Sequence, residues 1–594
     1  MKNLKRTMSN FLFLLKPQWK YGKLLFLLRL FPVVILAPIQ TLLSINMPRV
    51  VVDAITEKQA PAELMTTLAI YLSAIFLISV IQNVLTYELQ QLKSTELQLK
   101  MGLELQRQAL KIDYKYFDDP NFFNTYAYAT QQYAVSSMMA LQHLEQLARV
   151  CSTFAVTFAY VILLGPWLVL IAAIPIVLKI PIDLWDNKFS HEYNTEMISH
   201  VRKMGASNVI SSRDAAADLR STRLFSFLQS RHNSFMQAYM KLLKRFYRKQ
   251  SGTNVLRNII TNASNFALMA YLAIGVINGS IGGGDVGVYV SLLTASQQLS
   301  SSISLVTNVF TNTDNMIRDA EKIREFFEWE SVIEPQVGGE TPADTPFALE
   351  LQNASFKYPN STFSLKNLTL GIRPGAKIAI VGENGAGKST LAKLLLRLYD
   401  VDSGEILVDG RSIREYDVPQ LRSHIGVAFQ TTKLYPLTLS ENLRLYADAD
   451  VETLLDNLKK VRLDGVLEKN DATLDTELTK EFTEEGIMLS GGETQKLGLA
   501  RLLTKQFSLV LLDEPSSALD PLAEYELARL LFNRDNPATT IMIAHRLSAV
   551  RDADVIYLMS DGEITESGTH AELMQLSGKY HEMFTKQAEN YVKE

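Results

Sequence analysis

Two hydrophobic patterns divide the chain. Up to about residue 330 the apolar residues collect in long runs, near Leu24–Met47, Leu68–Tyr87, Val150–Leu164, Trp167–Leu184, Ile259–Ile277 and Val288–Phe310. The hydrocarbon core of a bilayer asks for ~17–25 helical residues per crossing, so these runs predict six membrane spans. The third and fourth are parted only at Gly165–Pro166, a turn signal. The sixth is the most polar. Its Gln297, Ser301, Ser304 and Asn308 recur on one face at helical spacing. Beyond residue 330 short apolar stretches alternate with charged helical ones, as in an α/β domain.

The polar segments between these runs set the orientation. Lys93, Lys100, Arg107, Lys111 and Lys115 lie between spans two and three, and a longer basic set from Lys188 to Lys249 lies between spans four and five. The turn at Gly165 and the loop 278–285 carry no lysine or arginine. The positive-inside rule therefore puts both basic segments, the N-terminus and everything after residue 311 in the cytoplasm. Gln90–Ile112 carries leucines at mixed helical spacing, and two structureless loops of this length would be unusual, so the spans are expected to run on as helices, joined by short crossing elements near Tyr116–Tyr126 and Arg213–Phe225. Met1–Lys23 has too short an apolar run for a cleaved signal and reads as an interfacial helix with Trp19 and Tyr21 as belt residues. Arg29 is expected to snorkel at the cytoplasmic end of span one.

Pro335, Gly338, Gly339, Pro342 and Pro346 punctuate a linker. The division expected is a membrane domain at 1–330, a linker at 331–346 and a second domain at 347–594. At 594 residues the chain is long enough for at least these two packing units. A hydrophobic fraction of 47% with 21% charged residues excludes a disordered chain. The net charge of −4 gives no basic field for nucleic acid. The single cysteine, Cys151, excludes an intrachain disulfide framework.

The second domain carries the chemistry. The strand-like Ile378–Val381 leads into Gly382, Glu383, Asn384, Gly385, Ala386, Gly387, Lys388, Ser389 and Thr390, then a helical stretch. This is the G-x-x-x-x-G-K-[ST] phosphate loop, in which bare amides cradle phosphates at a helix N-terminus. Lys388 would neutralise the outer phosphates and Ser389 would hold Mg²⁺. A second strand, Ser508–Leu512, ends in Asp513 and Glu514. Asp513 suits Mg²⁺, and Glu514 suits the general base that polarises the attacking water. Leu489, Ser490, Gly491, Gly492 and Glu493 open another helix, a second anion-binding geometry. One nucleotide has one γ-phosphate, so this second turn is expected to read a nucleotide held by another copy.

In order and spacing these motifs resemble the ATP-binding cassette family, and the whole chain resembles an exporter half-transporter. The resemblance implies an α-helical membrane domain of six helices with long cytoplasmic extensions, plus an α/β P-loop nucleotide-binding domain with a helical subdomain. It implies that Tyr358 stacks on adenine, that Gln430 contacts Mg²⁺, and that His545 contacts the γ-phosphate. By the same resemblance Leu489 to Glu493 form the signature that covers the partner's ATP, and Asp520 belongs to the loop joining the two sites. The crossing elements resemble coupling helices that dock on the cassettes. Glu493 stands where the family's commonest residue is glutamine, adding charge near a polyanion. The expected function is ATP hydrolysis driving export of a peptide, lipid or amphipathic molecule by alternating access, with ATP and Mg²⁺ as cofactors. The alternative on the same scaffold is an ATP-gated channel or sensor subunit. The partner is a second copy or a different half-transporter in a multi-pass cell-membrane assembly, and the compact build suggests a bacterial source. Gln297, Ser301, Ser304 and Asn308 would line the pathway, or else hydrogen-bond between helices.

Overall fold

The computed structural model describes residues 2–85, 90–164, 215–279, 285–334, 337–359, 362–469, 471–481, 483–515 and 537–592; between 174 and 197 it describes 174, 177–179, 181–182, 185–186, 189, 193 and 196–197. They form two compact units, one of residues 1–107 and 124–328, the other of residues 108–123 and 329–594.

The first unit is helical: α1 (Lys2–Tyr21), α2 (Lys23–Phe31), α3 (Ala37–Thr56), α4 (Pro61–Asn83), α5 (Gln90–Ala109), α6 (Pro120–Leu164), α7 (Ala216–Ser221), α8 (Leu224–Ile277) and α9 (Val286–Phe327). A π-helical turn at Pro32–Leu36 joins α2 to α3, where proline removes a helix donor. Among the described residues three helical segments are long and apolar enough to cross a membrane: Lys23–Thr56, Pro61–Asn83 and Asn121–Leu163. The fifth and sixth expected spans lie on α8 and α9, of 54 and 42 residues, which continue into polar sequence. Most of the fourth, Trp167–Leu184, lies outside the described residues.

In the first unit α6 and α9 run antiparallel. Thr153 Oγ1 meets Ser302 Oγ at 3.4 Å, and farther along Ser136 Oγ donates to Asp319 Oδ2 at 3.4 Å. Val161, Leu292 and Ala295 pack with Ile45 and Leu272 near the other end. One face of α1, carrying Asn10, Leu14 and Gln18, is buried. Gln18 Nε2 donates to Ser137 Oγ at 3.1 Å, while Lys20, Tyr21 and Tyr133 all donate to Glu104. Trp19 stays outside, 55% exposed. Arg29 differs from the snorkelling expectation: its side chain is only 11% exposed and its Nε lies 3.4 Å from Glu145 Oε1. An acidic partner on α6, invisible to local sequence, keeps it inside.

The strands of the second unit are β1 (Leu349–Lys357), β2 (Ser364–Ile372), β3 (Lys377–Gly382), β4 (Ser403–Val408), β5 (Arg411–Ser412), β6 (Ile425–Ala428), β7 (Leu509–Asp513), β8 (Thr539–Ile543), β9 (Val555–Ser560) and β10 (Glu563–Gly568). They make an antiparallel sheet, β2-β1-β4-β5, and a larger sheet, β10-β9-β3-β8-β7-β6, parallel from β9 to β6. Strand β3 shows why both faces are covered. Ile378 and Ile380 join one apolar cluster with Leu391 and Leu394 of α10 (Lys388–Leu395), whereas Ala379 and Val381 join another with Leu497 of α11 (Gly491–Leu502). Side chains alternate across a strand, so a parallel sheet with two covered faces reads as one apolar run.

Candidate functional site

In the larger sheet four neighbouring parallel strands end on one edge. β3 ends at Gly382 and opens the phosphate loop, β8 ends two residues before His545, β7 ends at Asp513, and β6 ends two residues before Gln430. Topology thus gathers segments separated by well over a hundred residues, and the carboxyl edge of a parallel sheet is where such folds bind ligands.

The loop is shaped by backbone constraints. Gly387 has φ +104, and a Cβ there would stand 2.4 Å from Leu365 Cδ2. A Cβ at Gly382 would meet the Met559 carbonyl at 2.2 Å. Between them Glu383, Asn384 and Gly385 are exposed and Ala386 is buried. Lys388, 5% exposed, curls back so that Nζ donates to the carbonyls of Gly382 and Glu383, both at 3.0 Å. Burial lowers the Lys388 pKa, opposed by the nearby Glu514 and Asp513 carboxylates. Ser389 Oγ donates to Asp513 Oδ1 at 3.1 Å. Burial raises the Asp513 pKa, and that hydrogen bond works against the rise.

Glu514 is the hub of the edge. Its Oε2 accepts from Gln430 Nε2 at 2.7 Å, and its Oε1 lies 2.6 Å from His545 Nε2. Its backbone is left-handed, φ +49, held by its N–H donating to Ile543 O at 3.0 Å. A non-glycine residue in that region is costly and is kept where surroundings over-determine it. The C-terminal helix Lys579–Val592 supports both sides: Lys579 pairs with Glu383 at 3.2 Å, and Gln587 Nε2 donates to His545 O at 2.8 Å.

Tyr358 follows β1 and stands edge-on to Phe356 and Tyr399, with ring centroids at 4.9 and 5.3 Å. Its hydroxyl donates to Thr390 Oγ1 at 3.4 Å, which sets the ring beside the loop.

Leu489 and Ser490 lead into α11, whose first residues are Gly491 and Gly492. Ser490 and Glu493 form a closed capping box. Ser490 N and Oγ both donate to Glu493 Oε2 at 2.7 Å, and Glu493 N donates to Ser490 Oγ at 3.3 Å. The Ser490 amide holds the Glu493 carboxyl below the usual carboxylate range. These hydrogen bonds stay within the helix's own first turn.

Residues 365–517 match the family described as ABC transporter. The subtilin transport ATP-binding protein SpaT of Bacillus subtilis is 27% identical over 98% of this chain and 96% of its own length. The mitochondrial iron-sulfur clusters transporter ATM1 of Saccharomyces cerevisiae is 33% identical over 60% of the chain, a match spanning about half of that protein (52%). A bacterial Atm1-family ABC exporter solved with ATP bound superposes with a TM-score of 0.77 at 23% identity, over 94% of this chain and 97% of that one. This chain is an ABC exporter half-transporter. It is a multi-pass membrane protein whose cassette is an ATP-binding domain.

Within this half-transporter Gly382 to Thr390, Asp513, Glu514, Gln430 and His545 come together, with Tyr358 alongside. Asp520 lies outside the described residues. On α9, Gln297 and Ser301 are exposed, while the side chains of Ser304 and Asn308 lie outside the described ones. Sequence reasoning missed Arg501, which is 7% exposed; its Nε and Nη2 donate to Asn442 O and Oδ1 at 2.9 and 2.7 Å, and its Nη1 to Lys433 O at 3.1 Å. Together with Gly498, where a Cβ would stand 2.7 Å from Thr432 Oγ1, it locks α11 to the segment after Gln430. A lone arginine in the apolar run Leu497–Leu503 was the available signal.

Proposed function

We propose that this half-transporter hydrolyses ATP at its phosphate loop and uses the cycle to export an amphipathic cargo by alternating access. The observation that carries the reading is the convergence of four strand ends on Glu514. Tyr358 stacks on the base, Lys388 leaves the two loop carbonyls for the outer phosphates, and Gln430 and His545 orient the Glu514 carboxylate. Glu514 holds the attacking water and takes its proton at a carboxylate oxygen. The Ser389 hydroxyl and Asp513 carboxylate are hard oxygen donors side by side, which suits Mg²⁺. Bound there, Mg²⁺ neutralises phosphate charge.

The working unit is a pair of cassettes. The first amides of α11 have no intrahelical partners, a property of any helix start, and they are read here as the cover for the phosphates of a second copy. Two further sets of exposed large apolar side chains support pairing. Phe225 and Phe227, at the second crossing element, are 47% and 64% exposed, and on the cassette Phe429, Tyr435 and Met488 are 45%, 44% and 46% exposed. A second copy would cover both. The domain division at 1–330, 331–346 and 347–594, and a cytoplasmic cassette in a bacterial cell membrane, belong to the same reading. Among cargoes, amphipathic peptide comes first, because a relative matched along 96% of its length is named for subtilin transport. Gln297 and Ser301 are the described residues offered to the pathway.

The test is phosphate release by the purified chain in lipid vesicles with ATP and Mg²⁺, with and without a cationic amphipathic peptide. Peptide-stimulated release is expected. Release unchanged by peptide would remove the peptide cargo, and no release at all would overturn the hydrolytic reading.

A further inference from the structure

The cassette unit includes one short stretch of the membrane half, residues 108–123, between α5 and α6. Within it Asp113 is fully buried. Its carboxylate accepts from three successive amides: Oδ2 from Val332 at 3.0 Å, and Oδ1 from Ile333 at 2.9 Å and Glu334 at 2.8 Å. In return Asp113 N donates to Ser331 Oγ at 3.1 Å, and Lys115 Nζ stands 3.4 Å from Oδ2. A buried carboxylate is costly unless charge-assisted bonds meet its lone pairs. The amides that meet it belong to the segment leading from α9 into the cassette.

The bonded chain continues to the nucleotide site. Glu334 is ion-paired with Arg422. Arg422 Nε and Nη2 donate to the carbonyls of Leu396 and Arg397 at 3.0 and 2.8 Å, just past the end of α10, the phosphate-loop helix. On the other side Asp118 accepts from the Tyr399 hydroxyl. The Tyr399 ring stands edge-on to Tyr114 and to Tyr358 at 5.8 and 5.3 Å. Lys393 of α10 lies over the rings of Tyr114 and Tyr358 at 5.4 and 5.6 Å.

We propose that Asp113 and Glu334 form a charged joint that fastens the first crossing element and the linker to the far end of α10, so that a shift of that helix on binding ATP is passed to α5, α6 and α9 at once. α5 ends at Ala109, α6 begins at Pro120 and α9 ends at Phe327, so all three leave from the two segments Asp113 ties together. Both are positioning residues. The joint rests on the reading of α10 as an ATP-binding helix. Coupling needs a contiguous set of contacts that both sites bias, and these bonds supply one within a single compact unit.

The test uses the full chain in lipid nanodiscs, spin-labelled at Cys151, its single cysteine, which is exposed on α6. The Cys151-to-Cys151 distance between two copies is measured with and without ATP and Mg²⁺ in the Glu514→Gln background, and binding of a fluorescent ATP analogue is measured alongside. Asp113→Ala is expected to bind the analogue like its parent while its ATP-dependent distance shift falls at least about fivefold. Asp113→Asn, which keeps one acceptor oxygen but turns an N–H toward an amide, is expected to retain part of the shift. A merely structural defect would lower binding and shift together. A parent-sized shift in Asp113→Ala overturns the joint. If that variant does not accumulate, Glu334→Gln is read on the same two quantities by the same criterion. A parent with no ATP-dependent shift removes the ATP-driven reading and the joint with it, whereas equal shifts in parent and variant remove the joint alone.

Discussion

The phosphate loop and the signature turn are both glycine-bearing starts of helices, yet they are finished differently. At the start of α10 a left-handed Gly387 opens the turn, and the buried Lys388 and Asp513 and the half-buried Ser389 stand around it. At the start of α11 Ser490 is exposed and its hydrogen-bonding groups are closed on its own Glu493. One turn is built out from the core with Asp513 and Glu514 beside it. The other is satisfied locally, by a capping box closed within its own first turn. The difference teaches that a helix N-terminus alone does not make a catalytic site: what the sheet edge gathers around it does.

The largest effect belongs to the first turn. Glu514→Gln is expected to slow phosphate release by roughly 10²–10⁴-fold while leaving nucleotide binding intact. Normal release in that variant would show that Glu514 is not the base and would erase the contrast. Tyr358→Ala should raise the ATP concentration needed for half-maximal release by roughly tenfold or more, the scale of one lost base-stacking contact, whereas Tyr358→Phe keeps the ring and should stay near the parent. Equal effects of the two substitutions would rule out stacking.

The smallest effect belongs to the second turn. Glu493→Gln removes a negative charge from the phosphate-facing end of α11 and is expected to raise turnover a few-fold, on the scale of a single charge at a helix terminus. The sign of its pH dependence is fixed. The Glu493 carboxyl sits below its ordinary value of 4.5 in the folded chain, so the box stabilises fully above that value and loses its contribution as pH falls through the lower folded one. The glutamine variant does not titrate, so its acid melting profile should lack this step. A deeper acid dependence in the variant would contradict the assignment.

Much of the site was legible because its constraints are local. The loop from Gly382 to Thr390 needs glycines at fixed spacing, and the two acids after β7 stand out because an apolar strand does not otherwise end in a charged pair. The Ser490-to-Glu493 spacing was equally local and is itself a capping-box signal. The ligand turn that the glycines suggest is in the structure also a closed cap of its own helix. What stayed illegible depends on distant partners. Asp113 meets amides more than two hundred residues away, Arg29 meets Glu145 on another helix, and Glu104 gathers Lys20, Tyr21 and Tyr133. Charged side chains suit solvent as readily as such partners, and nothing in their neighbours' identity distinguishes the two.

The central claim is that a working site takes its phosphate loop from one copy and its cover from another. The direct measurement mixes two inactive chains, Lys388→Ala and Ser490→Arg, under conditions where copies exchange, and follows phosphate release. Each mixed pair would hold one intact loop facing one intact signature. Release above that of either parent alone is the expected result. A mixture no more active than its parents, although mixed pairs have formed, would contradict the claim.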